Sequence, residues 1–383
     1  MDVKEESLKL HKTHKGKISI NPKIPLKTKE DLALAYSPGV AEPCKVIHLD
    51  QEKVYTYTAK QNMVAVITDG SAVLGLGNIG PYAALPVMEG KAALFKAFAD
   101  VDAFPICLNT QNPDEIIRIC ETLEPSFGGI NLEDIAAPNC IYIQEELDKR
   151  LNIPVFHDDQ DGTAIVVLAA LINSLKLVNK DKASISIVIS GMGAAGSAIA
   201  KLLTEYGVKT IYGFDKSGPL CKTNYNSYNP LIKHLFDQDI LKDTNSSSLD
   251  ELVKNIDVFI GVSAGDILNP KAISTMSNNP IVFALANPTP EIDPILAKQA
   301  GAFIVGTGRS DYPNQINNVL VFPGLFKALL HYRYKSVTNT MKIKTALAIS
   351  SVIKEELLTK DYIIPSPFDE AVPNAIMNVL KNN

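Results

Sequence analysis

Several features that mark other protein classes are missing from this chain of 383 residues. Its five cysteines, Cys44, Cys107, Cys120, Cys140 and Cys221, are scattered and include no C-x-x-C pair. None reads as a ligand or a nucleophile, and the spacing suits reduced core thiols in a cytoplasmic protein. There is no long basic run, and 37 Lys and Arg against 42 Asp and Glu leave a net charge of only −5. Neither nucleic acid nor an anionic membrane is favoured as a partner, which leaves a small-molecule substrate. The N-terminal MDVKEESLKLHKTHKGK lacks an apolar signal-like region. No later segment is expected to carry enough uncharged apolar sequence to span a membrane, so a soluble protein is anticipated. No internal repeat is visible.

What is present is the composition of an ordinary globular protein, 46% hydrophobic and 21% charged, with length enough for two domains. From about residue 60, short β-rich runs alternate with helical patterns: MVAVIT, DAFPICL, GGINL, IPVFH, SISIVIS, KTIYGF, IDVFIGV, PIVFALA and AFIVGT. That alternation predicts an α/β fold built from βαβ units, and the continuous β-branched runs predict strands covered on both faces. Four strands precede the apolar helix that begins near Asp161 and five follow it, so the expected boundary divides residues 1–160 from residues 161–383. The polar tract from Asn224 to Ser248 reads as an irregular surface insertion, and the chain beyond Pro323 as helical.

Strand SISIVIS leads into Gly191-Met192-Gly193-Ala194-Ala195-Gly196 and then a helical run. Glycines in this strand–turn–helix context allow a tight turn and let backbone N–H groups approach a pyrophosphate at the helix N-terminus. Asp215 ends the next strand, where a carboxylate accepts bonds from the adenosine ribose and repels an added phosphate. That favours NAD over NADP, although Lys216 beside it could accept the phosphate.

The stretch VFHDDQDGTA sets Asp158, Asp159 and Asp161 at the end of a strand, and INLEDIAAPN sets Glu133 and Asp134 at the end of another. Two acid pairs at two strand ends suggest a shared cation, and oxygen donors select Mg²⁺ or Mn²⁺ over zinc. Asp161 is expected instead to cap the following helix, and His157 to be a hydrogen-bonding neighbour. Tyr36, before a Pro-Gly turn, and Lys91, isolated among Ala, Leu and Phe, stand out from scaffolding. Apolar surroundings make a lysine lose its proton more easily, as a general base must. Taken singly, Tyr36 reads better as core packing with a satisfied hydroxyl and Lys91 as a snorkelling surface residue.

Together AYSPGVAEPC, TDGSAVLGLGNIGP, MEGKAALFKAFA, INLEDIAAPN, VFHDDQDGTA, GMGAAGSAIA, FALANPTPE and GTGRSDYPNQINNVLVFPG resemble the malic enzymes, in particular the short bacterial form. The resemblance implies an N-terminal α/β domain followed by a Rossmann-type, doubly wound NAD-binding domain with C-terminal helices. It implies oxidative decarboxylation of L-malate to pyruvate and CO₂ with reduction of NAD(P), oxaloacetate decarboxylation beside it, and a homodimer. Carried over residue by residue, it makes Tyr36 the general acid and Lys91 the general base. Glu133, Asp134 and Asp159 become the metal ligands, and Asn287 with Asn317 or Asn318 the substrate-binding amides, Asn287 also lying near the cofactor. Two departures stand out. Short relatives usually carry histidine at the position of Asp161, and the arginine that larger relatives carry after the D-G turn is missing from Ser71-Ala72-Val73, which leaves Arg309 as a candidate counter-charge. A malolactic-type enzyme that retains NAD and releases lactate, and a catalytically silent nucleotide sensor, are the rival readings.

Overall fold

Ten strands in two separate sheets organise the computed structural model, which describes residues 3–73 and 75–381. In the first sheet Met63–Thr68 (β1), Asp102–Cys107 (β2), Gly129–Leu132 (β3) and Val155–His157 (β4) run parallel in the order β2-β1-β3-β4. The second contains Ser186–Ser190 (β5), Thr210–Asp215 (β6), Gly218–Pro219 (β7), Val258–Gly261 (β8), Ile281–Ala284 (β9) and Ile304–Thr307 (β10). Its order is β10-β9-β8-β5-β6-β7, parallel except for the two-residue β7, which was too short to leave a pattern in the sequence. All nine strands read from the sequence are present.

Chain order reverses between β5 and β8, so the carboxyl ends of these neighbours form the switch point at which doubly wound sheets bind ligands. In β3, β8, β9 and β10 every residue is buried, as parallel strands covered by helices on both faces should be. Edge strand β2 is only half-buried along its length.

The two sheets share one core. Helix Phe322–Tyr332, far along the chain, packs on the first sheet's helix Gly80–Ala99: Phe95 meets Phe322 with ring centroids 4.7 Å apart and Phe326 at 5.4 Å. Phe326 also sits edge-on to Phe156 of β4 at 5.9 Å. A seam of full-size aromatic rings fixes how the sheets' carboxyl ends face each other, because each ring buries a large area in a specific geometry.

Two expectations fail at this level. Residues Asp158–Val178 form 21 helical residues of mean hydropathy 1.6, long and apolar enough to cross a bilayer. The three aspartates at its start obscured that length in the sequence. From Ala164 to Leu175 every residue is buried inside the fold, as in a core helix. The polar tract 224–248 is also less irregular than expected. It holds helix Pro230–Asp237, capped by Asn229 and burying Ile232, Leu235 and Phe236, an i, i+3, i+4 stripe hidden among asparagines and serines.

Candidate active site

Backbone pairing carries the acid pairs to one place. The amide of Glu133 donates to Ile67 of β1 at 2.9 Å, extending the ladder one residue past β3, and Asp134 follows at φ 53°, a left-handed turn that aspartate tolerates. On the adjacent strand, β4 runs into a turn of π-helix, Asp158–Gly162. Oδ2 of Asp159 accepts the backbone N–H of Asp134 at 2.9 Å. Carboxylate oxygens of Glu133, Asp134 and Asp159 all lie within 4.8 Å of one another.

Lys91 reaches this cluster from the middle of helix Gly80–Ala99. Its Nζ lies 2.5 Å from Oδ2 of Asp158 and 2.9 Å from Oε1 of Glu133, over the face of the Phe322 ring at 4.1 Å. The other Glu133 oxygen accepts from Asn131 at 2.8 Å. Three buried carboxylates, Glu133, Asp134 and Asp158, and the half-buried Asp159 thus cluster around a single ammonium, and the charges do not balance. Burial, with the neighbouring acids, pushes Glu133 and Asp158 up to about 7 even against the pull of Lys91. Burial and Asp158 likewise raise Asp159 to about 6. A lysine beside a carboxylate normally lowers its pKa, so the upward shifts register burial first and the excess of negative charge beside it second. A divalent cation fits that excess. The donors are hard oxygens, and Oδ1 of Asp158 and Oδ1 of Asn131 are buried with no partner.

Several expectations are corrected here. Lys91 is buried, 8% exposed, so it does not snorkel. Burial alone would depress the ammonium, but Asp158 and Glu133 outweigh it and raise its pKa well above the usual lysine range. Asp161 caps nothing: it lies inside the π-turn, where Lys342 contacts one oxygen at 2.6 Å and Gln144 donates to the other at 2.7 Å. His157 is fully buried at the end of β4 with neither ring nitrogen hydrogen-bonded, and burial lowers its pKa to about 4. Arg309 is half-buried and held by Asp311 at 2.7 Å, so its charge is already answered.

Tyr36 is not core packing. It ends helix Lys29–Ala35 with 69% of its surface open, on an N-terminal arm whose helices bury no residue. Asn287 begins the loop after β9, with its carbonyl against Gly75. Asn317 uses its side-chain oxygen to hold Val319 N–H at 2.9 Å, while Cβ of Asn318 leans on Gly162 of the acidic turn.

At the switch point the three glycines have three different reasons. Gly191 adopts φ 96°, a conformation open to glycine, and donates to Phe214 O at 2.8 Å. A Cβ on Gly193 would meet nothing within 4 Å, which leaves the backbone open to a pyrophosphate. A Cβ on Gly196 would lie 1.9 Å from Gly191 O, so only glycine lets helix Ala194–Tyr206 start this close to the turn. Ala194 and Ala195 present the helix's first N–H groups to the same open side. Asp215 ends β6, and its carboxylate accepts Lys216 N–H at 2.7 Å.

Some participants escaped the sequence reading. The sequence marks Asp158 only as a neighbour of Asp159, yet it is the partner of Lys91. Glu291, 0% exposed, accepts from Ser263 N at 2.8 Å and Ala286 N at 3.1 Å, tying the loops after β8 and β9 together beside Gly191. Its place in the P-T-P-E loop gives no sign of this, because the bond from Ser263 spans 28 residues.

Comparison with known proteins covers both halves of the chain. A family model described as malic enzyme, N-terminal domain matches residues 15–148, and one described as malic enzyme, NAD binding domain matches residues 160–373. The chain is 54% identical to the bifunctional malic/malolactic enzyme of Bacillus subtilis, covering 98% of this chain and 92% of the relative. It is 53% identical to the NAD-dependent malic enzyme of Geobacillus stearothermophilus over 93% of this chain and 74% of that one. A crystal structure of the NAD-dependent malic enzyme of Thermotoga maritima superposes with a TM-score of 0.93 at 48% identity, covering 98% of this chain and 99% of that one. With likeness of this extent at both levels, the chain belongs to the malic enzyme family.

Proposed function

We propose that Lys91, Tyr36 and the Glu133–Asp134–Asp159 triad carry out the family's reaction here, the oxidative decarboxylation of L-malate to pyruvate and CO₂ with reduction of NAD(P). The observation that carries the proposal is the convergence of three carboxylates within 4.8 Å beside a buried lysine. A divalent cation, Mg²⁺ or Mn²⁺, held by the triad supplies Lewis acidity, and the nicotinamide supplies the acceptor for the hydrogen and electron pair that leave C2.

The chain's own residues handle the protons. Lys91 takes the proton of the malate C2 hydroxyl, and Tyr36 delivers one to C3 of the enol left after CO₂ departs. Lys91 is held protonated while Asp158 and Glu133 carry unshared charge, so it serves as a base only once the carboxylates are neutralised. Asn287, with Asn317 or Asn318, orients the substrate without adding charge. Asp215 favours NAD over NADP.

We assign residues 1–160 to substrate binding, acid–base chemistry and dimerisation, and residues 161–383 to the cofactor. The arm supports a homodimer. Leu8 (75% exposed), Ile20 (80%), Leu34 (79%) and Leu49 (85%) lie open on it, with Tyr82 (87%) nearby. So much apolar surface is unusual on a monomer and suits a second copy. Sedimentation at the 41.5 kDa monomer mass would refute that assembly. A cytoplasmic location fits the five free thiols.

The deciding experiment is an absorbance assay for reduced nicotinamide with L-malate and Mn²⁺. Wild type should form free NADH and pyruvate, and Asp159→Ala should form neither. Lactate without free NADH would favour the malolactic reading, and no turnover with either would favour the silent sensor.

A further inference from the structure

Asp161 is the acid the reaction does not use, and its surroundings are built rather than incidental. It stands two residues after Asp159 in the π-turn, is 7% exposed, and has both oxygens engaged. One is 2.6 Å from Nζ of Lys342 on helix Asn339–Ser351, 181 residues further along the chain. The other accepts Nε2 of Gln144 at 2.7 Å from helix Asn139–Arg150, and Gln144 in turn accepts from Gln160 at 3.3 Å. The turn is therefore gripped at its far end by a helix packed against the first sheet and a C-terminal helix. At its near end it offers Asp158 to Lys91 and Asp159 to the triad.

We propose that the Asp161–Lys342 pair is a positioning device: it sets where the π-turn lies, and through it how tightly the triad holds a divalent ion. The inference rests on the assignment of Asp159 as a ligand. The π-turn widens the first turn of a continuous helix, with Thr163 N–H reaching back to the Asp158 carbonyl, and Gly162 gives its end no side chain to pack, so the long-range bonds of Asp161 add to what fixes it. The pair forms one wall of a cavity of about 220 Å³ that also touches Lys201 and Ser197 of helix Ala194–Tyr206. Lys342 is itself largely buried, its side chain 15% exposed, so losing it leaves Asp161 with Gln144 alone.

Positioning and plain electrostatics make opposite predictions for Lys342→Met. Removing the cation leaves one more unanswered carboxylate near the ligands, which by charge alone would tighten cation binding. If the pair positions the turn, binding loosens, by about ten- to a hundred-fold as is typical for groups that orient metal ligands.

The test is Mn²⁺ titration of the full-length protein followed by electron paramagnetic resonance of the free ion, without malate or NAD. Lys342→Met should weaken binding by about ten-fold or more. Lys342→Arg should bind within a few-fold of wild type, and excess Mn²⁺ should restore turnover of the Met variant. Should Lys342→Met not fold, Lys342→Gln removes the same charge from beside Asp161 while keeping a neutral donor, and weaker binding is again expected where charge alone would tighten it. Tighter or unchanged binding in a folded Lys342→Met overturns the inference. If Glu133→Gln leaves Mn²⁺ binding at the wild-type level, the ligand assignment itself falls.

Discussion

Gly162 faces Asp158 so closely that a Cβ built on it would lie 2.2 Å from Oδ1 of the carboxylate. Asp158 is wholly buried and bonded to Lys91, so it cannot yield without leaving its partner. A glycine that could pass for a helix start is therefore what lets the acidic turn close.

Gly162→Ala should swing Asp158 off Lys91. Overpacking of this kind costs about 1–3 kcal/mol. Thermal unfolding should show lower stability, and kcat should fall by at least about ten-fold, one lost charge-assisted bond of about 1.4 kcal/mol. Wild-type turnover in the variant would mean that the Lys91–Asp158 contact is dispensable.

Cation binding should depend on pH in a defined direction. Burial raises Glu133 to about 7 and Asp159 to about 6. Both bind protons more tightly folded than unfolded, so in the ion-free protein their favourable contribution, full below the ordinary carboxylate range, is lost as pH rises through 6 to 7. A bound cation removes that loss and competes with the same protons. The rise in Tm caused by Mn²⁺ should therefore be small near pH 5.5, grow through about pH 6 to 7, and level off above about 8. His157, with its pKa lowered to about 4, is common to both forms and cancels in the difference. A shift of Tm independent of pH would contradict the triad as the binding site.

Legibility in the sequence followed the range of the interactions. The strands could be read because burial on both faces writes itself as consecutive β-branched residues, as in β1 and β5. The glycine turn could be read because each glycine answers a local backbone demand. Glu133, Asp134 and Asp159 were found at strand ends, where sheet geometry makes neighbours of distant residues. The environment of Lys91 was misread because local sequence shows Ala, Leu and Phe, while its two carboxylate partners lie 42 and 67 residues downstream. Asp161 was misread for the same reason, since Lys342 leaves no trace near it. Local pattern reports which groups are present; the sign of a pKa shift depends on partners that only the fold supplies.

Lys91 offers the sharpest separation of roles. Its removal should act on the step that needs a proton taken from the C2 hydroxyl, which oxaloacetate lacks. Lys91→Met should lower malate oxidation by about 10²–10⁴-fold, the usual range for losing a general base, and slow decarboxylation of added oxaloacetate much less. The variant also leaves Asp158 and Glu133 without their counter-charge, so they should take up protons more readily and the pH at which activity falls off should move upward. Both effects are measured on one preparation by following reduced nicotinamide with malate and CO₂ release from oxaloacetate across pH. Equal losses in the two assays at every pH would assign Lys91 to holding the triad together and pass the proton transfer to another group.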